Sequence, residues 1–248
     1  MIIGMDCGNS TIKIYYFENK ALKQKKTLKS DITQLKKFLK DGFPVSVKSV
    51  IISSVVKPLE TEILRYCRKK RISSYSVGDK KFPPLKISYK IPDTLGADRI
   101  LNCASAMRKF PAENIIIADA GTAVNIEVLS DKGEFLGGMI FPGPQTAADS
   151  LYRGTDRLPL TDWGKNSVLI GRSTDECISS GIFRGWSIMI SGLCDAIADE
   201  NSIAYKKILT GGYAEMLRSA PELENFIFIE DFQAEGFLNI ISWLETGI

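Results

Sequence analysis

The sequence predicts an α/β fold built from two similar halves, and three observations predict it. Met1–Phe17 and Ile115–Val128 share one grammar: an apolar strand, an Asp-x-Gly turn followed by Asn or Thr, and a second strand in which apolar residues alternate with polar ones. Behind each hairpin, helix and strand patterns alternate. The chain of 248 residues, 44% hydrophobic and 25% charged, has the balance and length of an ordinary globular protein with one large or two modest domains. The division expected from the repeat is 1–114 and 115–248.

Each element follows from local pattern. After the first hairpin, Thr27-Leu28-Lys29 reads as a third strand. Asp31–Leu39 then places apolar residues at 32, 35, 38 and 39, which is helical spacing. Ser49–Val55 is a buried strand, and Pro58 opens a helix to about Arg68. Three strands, helix, strand, helix is the order of a ribonuclease H-like half. Lys81-Phe82-Pro83-Pro84 breaks regular structure, Ile87–Ile91 is a short strand or extended loop, and Gly96–Met107 leads into an Ala-rich helix. In the second half, Phe135–Pro144 is a strand ending in a Gly-Pro loop, and helical spacing returns from Thr146 to Arg153. Gly171–Glu176 resembles a cap before a long helix to about Glu200. Lys206–Gly212 is strand into diglycine turn into helix. Phe226–Ile229 is a last strand, and a helix from Ala234 to Trp243 follows it.

Composition removes several classes of function. Lys and Arg exceed Asp and Glu by 32 − 29 = 3, too even a balance to point to nucleic acid. Much of the excess is local, in Lys20, Lys23, Lys25, Lys26, Lys29, Lys36, Lys37 and Lys40, and no aromatic residues interleave there as they would on a base-stacking platform. A solvated surface is the expectation for that segment. No charged-then-apolar leader precedes the first strand, and no apolar run approaches the roughly 20 residues of a membrane helix, so neither a signal peptide nor a membrane partner is expected. The five cysteines, Cys7, Cys67, Cys103, Cys177 and Cys194, are scattered and odd in number, as expected of reduced thiols in a cytoplasm. With no histidine in the chain, Ser-His-Asp hydrolysis and His-ligated zinc are excluded. Cys7 lacks the usual base and reads as a small turn filler.

Four short motifs remain as candidates for chemistry. In Asp6-x-Gly8-Asn9-Ser10 and Asp119-x-Gly121-Thr122-Ala123, a carboxylate stands where a strand stops. The glycine lets backbone N–H groups approach an anion, and a hydroxyl follows. Either turn alone is common hairpin chemistry; the repetition suggests a polyphosphate cradled between them. Gly96-Ala97-Asp98-Arg99 puts an acid and an arginine at the mouth of a helix. There the pair can favour an anion and grip a carboxylate, or it can be an N-cap and a surface ion pair. Thr210-Gly211-Gly212 bares backbone to a flat ring or a phosphate.

In chain order, beginning at Asp6, Gly96, Asp119 and Thr210, and with Gly137-Gly138-x-Ile140-x-Pro142-Gly143 and Leu158-Pro159 between the last two, these four motifs resemble the type III pantothenate kinase family from residue 1 to about Ile240. The family belongs to the acetate and sugar kinase/Hsp70/actin superfamily. The resemblance implies two ribonuclease H-like (actin-like ATPase) domains with ATP in the cleft between them, a homodimer, and phosphorylation of pantothenate to 4′-phosphopantothenate at the entry to coenzyme A synthesis. The implied cofactors are ATP with Mg2+ or another divalent cation, and a monovalent cation, K+ or NH4+.

Residue by residue, the resemblance implies that Asp6, Cys7, Gly8, Asn9, Ser10, Thr11, Ile12 and Lys13 form the first phosphate loop, with Asp6 near the divalent metal. Thr122 completes the second loop, and Gly211 and Gly212 lie by the adenosine. Asp98 is implied as the general base. Gly96, Ala97 and Arg99 line the pantothenate site, with Tyr89 and Thr174 at further substrate positions, and Asp119 holds the monovalent cation. The chain departs from the family's usual pattern at Asn125 and Glu127, where Thr and Asp are usual, at Ser10, where Thr is usual, and in having no histidine to offer a partner's substrate. Two rival readings keep the fold: a non-catalytic relative that regulates transcription, and a kinase for another small hydroxy acid.

Overall fold

A computed structural model describes residues 1–78, 85–165 and 168–246, so the expected break at Lys81–Pro84 lies outside the described residues. The chain divides into two compact units: Met1–Pro111 with Gly133–Phe135 and Phe232–Ile248, and Ala112–Lys132 with Leu136–Asp231.

The first unit is a five-stranded sheet covered on both faces. Its strands are β1 (Ile2–Cys7), β2 (Thr11–Glu18), β3 (Ala21–Lys29), β4 (Ser49–Ser54) and β5 (Ser73–Ser76), in the order β3-β2-β1-β4-β5. β1 runs antiparallel to β2 and parallel to β4. On one face, Ile3, Met5, Ile12, Ile14, Val50 and Ile52 meet α1 (Ile32–Asp41) and α2 (Lys57–Lys70), which contribute Leu35, Phe38, Leu39, Leu59, Ile63 and Cys67. Each such buried aliphatic or aromatic side chain contributes roughly 1.5–3 kcal/mol, so an acidic residue at Ile63 would break this face. α1 starts where Asp31 accepts a hydrogen bond from the Gln34 N–H at 2.9 Å.

The other face takes two helices. α3 (Ala97–Lys109) crosses α7 (Phe232–Thr246), where the Asn239 amide donates to the Ala104 carbonyl at 2.9 Å. Phe237 of α7 packs on Tyr15 and Phe17 of β2, with ring centroids 5.6 and 6.3 Å away. The last helix is therefore counted with the first unit, whereas the repeat put it with the second half. Its apolar face finds its partner in β2 and α3, which a division by sequence alone does not show. The lysine-rich segment forms the exposed edge strand β3 and the outer face of α1. Lys26 stays near the surface with its ammonium 4.9 Å from the Phe38 ring centroid.

The second unit contains β7 (Ile115–Ala120), β8 (Ala123–Leu129), β9 (Glu134–Pro142), β10 (Lys206–Thr210) and β11 (Ile227–Phe228), paired in the order β11-β10-β7-β8-β9. The first two residues of β9 belong to the first unit, where they run parallel to β6 (Lys86–Ile87). α4 (Pro144–Gly154), α5 (Thr174–Asn201) and the single turn α6 (Ala214–Leu217) complete the unit. α5 opens where Ser173 accepts from the Glu176 N–H at 3.2 Å, as the cap pattern expects. Among the described residues, α5 is the one helix long and apolar enough to cross a bilayer by length and composition. Its face of Ile178, Ile182, Phe183, Ile190 and Ile197 instead packs on Ile116, Ala118, Val124 and Ile126 of the sheet, which gives a core helix this composition.

Candidate active site

In the first unit, β1 delivers Asp6 to the end of the sheet, one residue before the turn. The turn is closed by the Gly8 N–H donating to the Thr11 carbonyl at 3.0 Å. Ser30 pins it from outside: its hydroxyl donates to the Gly8 carbonyl at 2.6 Å and its N–H to the Ser10 carbonyl at 3.0 Å. Of the expected phosphate-loop residues, Cys7 and Ile12 are fully buried and can offer only backbone. Asn9 and Ser10 are exposed, and Asp6, Gly8, Thr11 and Lys13 are half-buried. Burial, reinforced by the neighbouring Asp6 carboxylate, pushes the Cys7 thiol far above its ordinary range, which disfavours the thiolate that a nucleophile needs.

The same unit holds Tyr89, Gly96, Ala97, Asp98 and Arg99 of the expected substrate residues. α3 starts at Ala97, and the Asp98 carboxylate folds back to accept the Arg99 N–H at 2.9 Å. A Cβ on Gly96 would sit 2.5 Å from Asp98 Oδ1, so glycine is what lets the carboxylate take this position. Asp98 is half-buried while Arg99 is 4% exposed, its guanidinium carbon 5.1 Å from the Phe135 ring centroid. Tyr89 packs on the same ring at 5.8 Å. Phe135 is thus a member of this cluster that sequence reasoning missed; the signal was there only as one apolar residue opening a strand.

The second unit repeats the turn. The Gly121 N–H donates to the Ala123 carbonyl at 2.9 Å, closing β7 onto β8. The Thr122 carbonyl accepts from the Gly143 N–H at 2.9 Å and from the Thr146 hydroxyl at 2.7 Å, while the Thr122 side chain is exposed. Gly211 has φ +104°, and a Cβ there would lie 2.5 Å from Asp119 Oδ1 and 2.6 Å from the Ala120 nitrogen. Only glycine fits, because the backbone passes directly against the carboxylate. Gly212 faces open space. Thr174, the first residue of α5, is exposed on the rim of a 910 Å³ cavity lined by Ser150, Leu151, Arg172, Ser173 and Trp186 among others. It belongs to the second unit, whereas Tyr89 and residues 96–99 belong to the first.

The two carboxylates have equivalent lateral neighbours. Ser53 is paired with Asp6 across β4 and β1, and its hydroxyl donates to Asp6 Oδ1 at 3.1 Å. Thr210 is paired with Asp119 across β10 and β7, but its fully buried hydroxyl has no hydrogen-bond partner among the described residues. Asn125 stands opposite Asp119 on the other side, so one departure from the family pattern lies beside this carboxylate. Glu127, fully buried, shares its sheet face two residues on.

Two sheets that each carry an Asp-x-Gly hairpin define an α/β protein of the actin-like fold, and solved structures share that fold. MreB5 of Spiroplasma citri bound to ADP aligns with TM-score 0.52 at 10% identity, over 99% of this chain and 96% of its own. A protein described as a Baf family transcriptional activator from Campylobacter jejuni aligns with TM-score 0.67 at 21% identity, over 98% of both chains. The profile of the type III pantothenate kinase family matches residues 2–196. Proteins named type III pantothenate kinase from Persephonella marina and Christiangramia forsetii are each 34% identical, over 98% and 99% of this chain and 99% and 100% of their own. The chain belongs to the type III pantothenate kinase family.

Proposed function

We infer that this chain transfers the γ-phosphoryl group of ATP to the hydroxyl of pantothenate, giving 4′-phosphopantothenate and ADP in the first step of coenzyme A synthesis. Membership of the family along residues 2–196 carries this reading. In the transfer, the pantothenate oxygen bonds to the γ-phosphorus as the bond to the β-phosphate oxygen breaks, and the hydroxyl proton passes to the Asp98 carboxylate. Carboxylates are weak bases, so Asp98 takes the proton late, as the attacking oxygen acidifies.

The other roles belong to the same proposal. Asp6 to Lys13 hold phosphates through turn N–H groups and hydroxyls, with Thr122 in the second turn and Gly211 and Gly212 beside the adenosine. Gly96, Ala97, Arg99, Tyr89 and Thr174 bind pantothenate. Among the described residues there is no group of three or more His, Cys, Asp or Glu that could hold a metal. Mg2+ is commonly held by one or two carboxylates plus phosphates; here Asp6 would be the carboxylate, and the ion would neutralise charge spreading over the transferred group. The monovalent cation is assigned to Asp119, whose lateral neighbours in the sheet, Thr210 with its buried and unpartnered hydroxyl and Asn125, each carry a neutral oxygen.

A homodimer fits the outer face of α5. Gly181, Gly185 and Gly192 open onto empty space there, Ile188 is 49% exposed, and Ile170 ahead of the helix is 80% exposed. A cytoplasmic setting agrees with five free thiols.

A coupled ADP-release assay tests the reading. Pantothenate-dependent turnover that needs potassium supports substrate and cation site together. Absence of turnover with pantothenate, ATP, Mg2+ and K+ would sink the substrate, and turnover equal in sodium and potassium would sink the cation site.

A further inference from the structure

β9 from Leu136 on belongs to the second unit, whereas Gly133–Phe135 belongs to the first. Its last two residues hold the strap that carries Tyr89. Lys86 and Ile87 pair with Glu134 and Phe135, and the Ser88 N–H donates to the Phe135 carbonyl at 2.9 Å. The Glu134 carboxylate accepts from Lys86 Nζ at 2.8 Å and from the Ser88 hydroxyl. Backbone and carboxylate thus fix where the strap begins.

The Phe135 ring does something separate. It is 0% exposed, with the Arg99 guanidinium over it at 5.1 Å and the Tyr89 ring against it at 5.8 Å and 57°. One ring therefore touches both the strap and the first turn of α3, next to Asp98. A guanidinium lying over an aromatic face is held there by the negative charge of that face, and it loses this hold when the ring is replaced by an aliphatic group of similar bulk.

We propose that Phe135 is a positioning residue for the pantothenate end of the reaction: it does not touch substrate, but its ring sets Arg99 and Tyr89 at one fixed spacing beside Asp98. The inference rests on the pantothenate kinase reading above. It also separates two jobs in one dipeptide, since Glu134 anchors the strap's backbone and Phe135 aligns its side chain with the helix.

The test measures kcat and both KM values for wild type, for Phe135→Leu, and for a series with 4-fluoro-, 3,5-difluoro- and 3,4,5-trifluorophenylalanine at position 135. Fluorination preserves ring shape while weakening the negative face, which keeps the question answerable if the leucine variant folds poorly. The expected result is a KM for pantothenate that climbs stepwise along the fluorinated series and about ten-fold in Phe135→Leu, with KM for ATP unchanged. A purely structural ring would leave the fluorinated proteins like wild type, or move both KM values together, and either result would overturn the proposal. Wild-type protein without pantothenate-dependent turnover would overturn the kinase reading instead, so the two failures are distinguishable.

Discussion

Thr210 stands beside Asp119 as Ser53 stands beside Asp6, yet the serine hydroxyl is spent on its carboxylate at 3.1 Å while the threonine hydroxyl is buried without a hydrogen-bond partner among the described residues. The repeat has therefore diverged at one oxygen. A buried hydroxyl left unmatched costs about 1–3 kcal/mol, and a cation held between Asp119 and Thr210 would remove that cost.

Thr210→Val separates folding from cation binding at this spot. The methyl replaces the hydroxyl at nearly constant volume, so in potassium-free buffer the variant should melt at the same temperature as wild type or higher. Its half-activating potassium concentration should rise about ten-fold, the effect of losing one ligand of modest strength. A potassium titration of ADP release checks this, and superimposable curves would remove Thr210 from the cation site.

Asp98→Asn should lower kcat by about 10²–10⁴ while leaving the fold intact. Asparagine keeps a side-chain oxygen for the Arg99 N–H, which Asp98 accepts at 2.9 Å, so the start of α3 survives. Single-turnover rates with saturating ATP and pantothenate, alongside circular dichroism, separate the two effects. A folded variant with wild-type kcat would leave Asp98 as a helix-start residue only.

Gly211→Ala should damage the second unit and its site together. At φ +104° an alanine is strained, and its Cβ would lie 2.5 Å from Asp119 Oδ1 and 2.6 Å from the Ala120 backbone. Strain of this kind costs about 1–3 kcal/mol, which corresponds to a drop of roughly 2–4 °C in melting temperature per kcal/mol in a chain of this size. Activity should fall further than stability, because the atoms displaced include the Asp119 carboxylate. Calorimetry and turnover on the same preparation test this; a variant with an unchanged melting temperature would mean that the turn absorbs the methyl.

Where local chemistry decides, the sequence was readable. Asp31 and Ser173 cap helices that start where their patterns place them, and each Asp-x-Gly turn closes with its glycine N–H on the carbonyl that begins the next strand, three residues on in the first turn and two in the second. Polar edge strands were less readable. β3 extends back to Ala21 although its residues are nearly all exposed, and Ser73–Ser76 forms β5 with no apolar alternation, because each is fixed by pairing with an inner strand. The Phe135 platform was invisible for a related reason. Nothing in a phenylalanine at the head of a strand says that Arg99 and Tyr89, 36 and 46 residues earlier, will share its ring.

The buried thiols should make stability fall at alkaline pH. Cys7, Cys67 and Cys194 are all 0% exposed, and burial pushes the Cys67 thiol up to about 11, the Cys194 thiol up to about 12, and the Cys7 thiol higher still. In the unfolded chain the same thiols titrate near ~8.5. Above that pH the unfolded state binds fewer protons than the folded one, so stability is fully present below about pH 8.5 and declines as pH rises toward the folded values. The loss is roughly 2 kcal/mol per thiol by pH 10. Urea unfolding from pH 7 to 10 should show this decline, and Cys194→Ala should flatten it by about one proton, the alanine costing some packing at every pH. Native-state labelling offers an independent reading, since exposed Cys177 should react alone with a thiol reagent at pH 8. An unfolding free energy that holds constant up to pH 10 would show that the thiols of the folded protein ionise as freely as those of the unfolded chain.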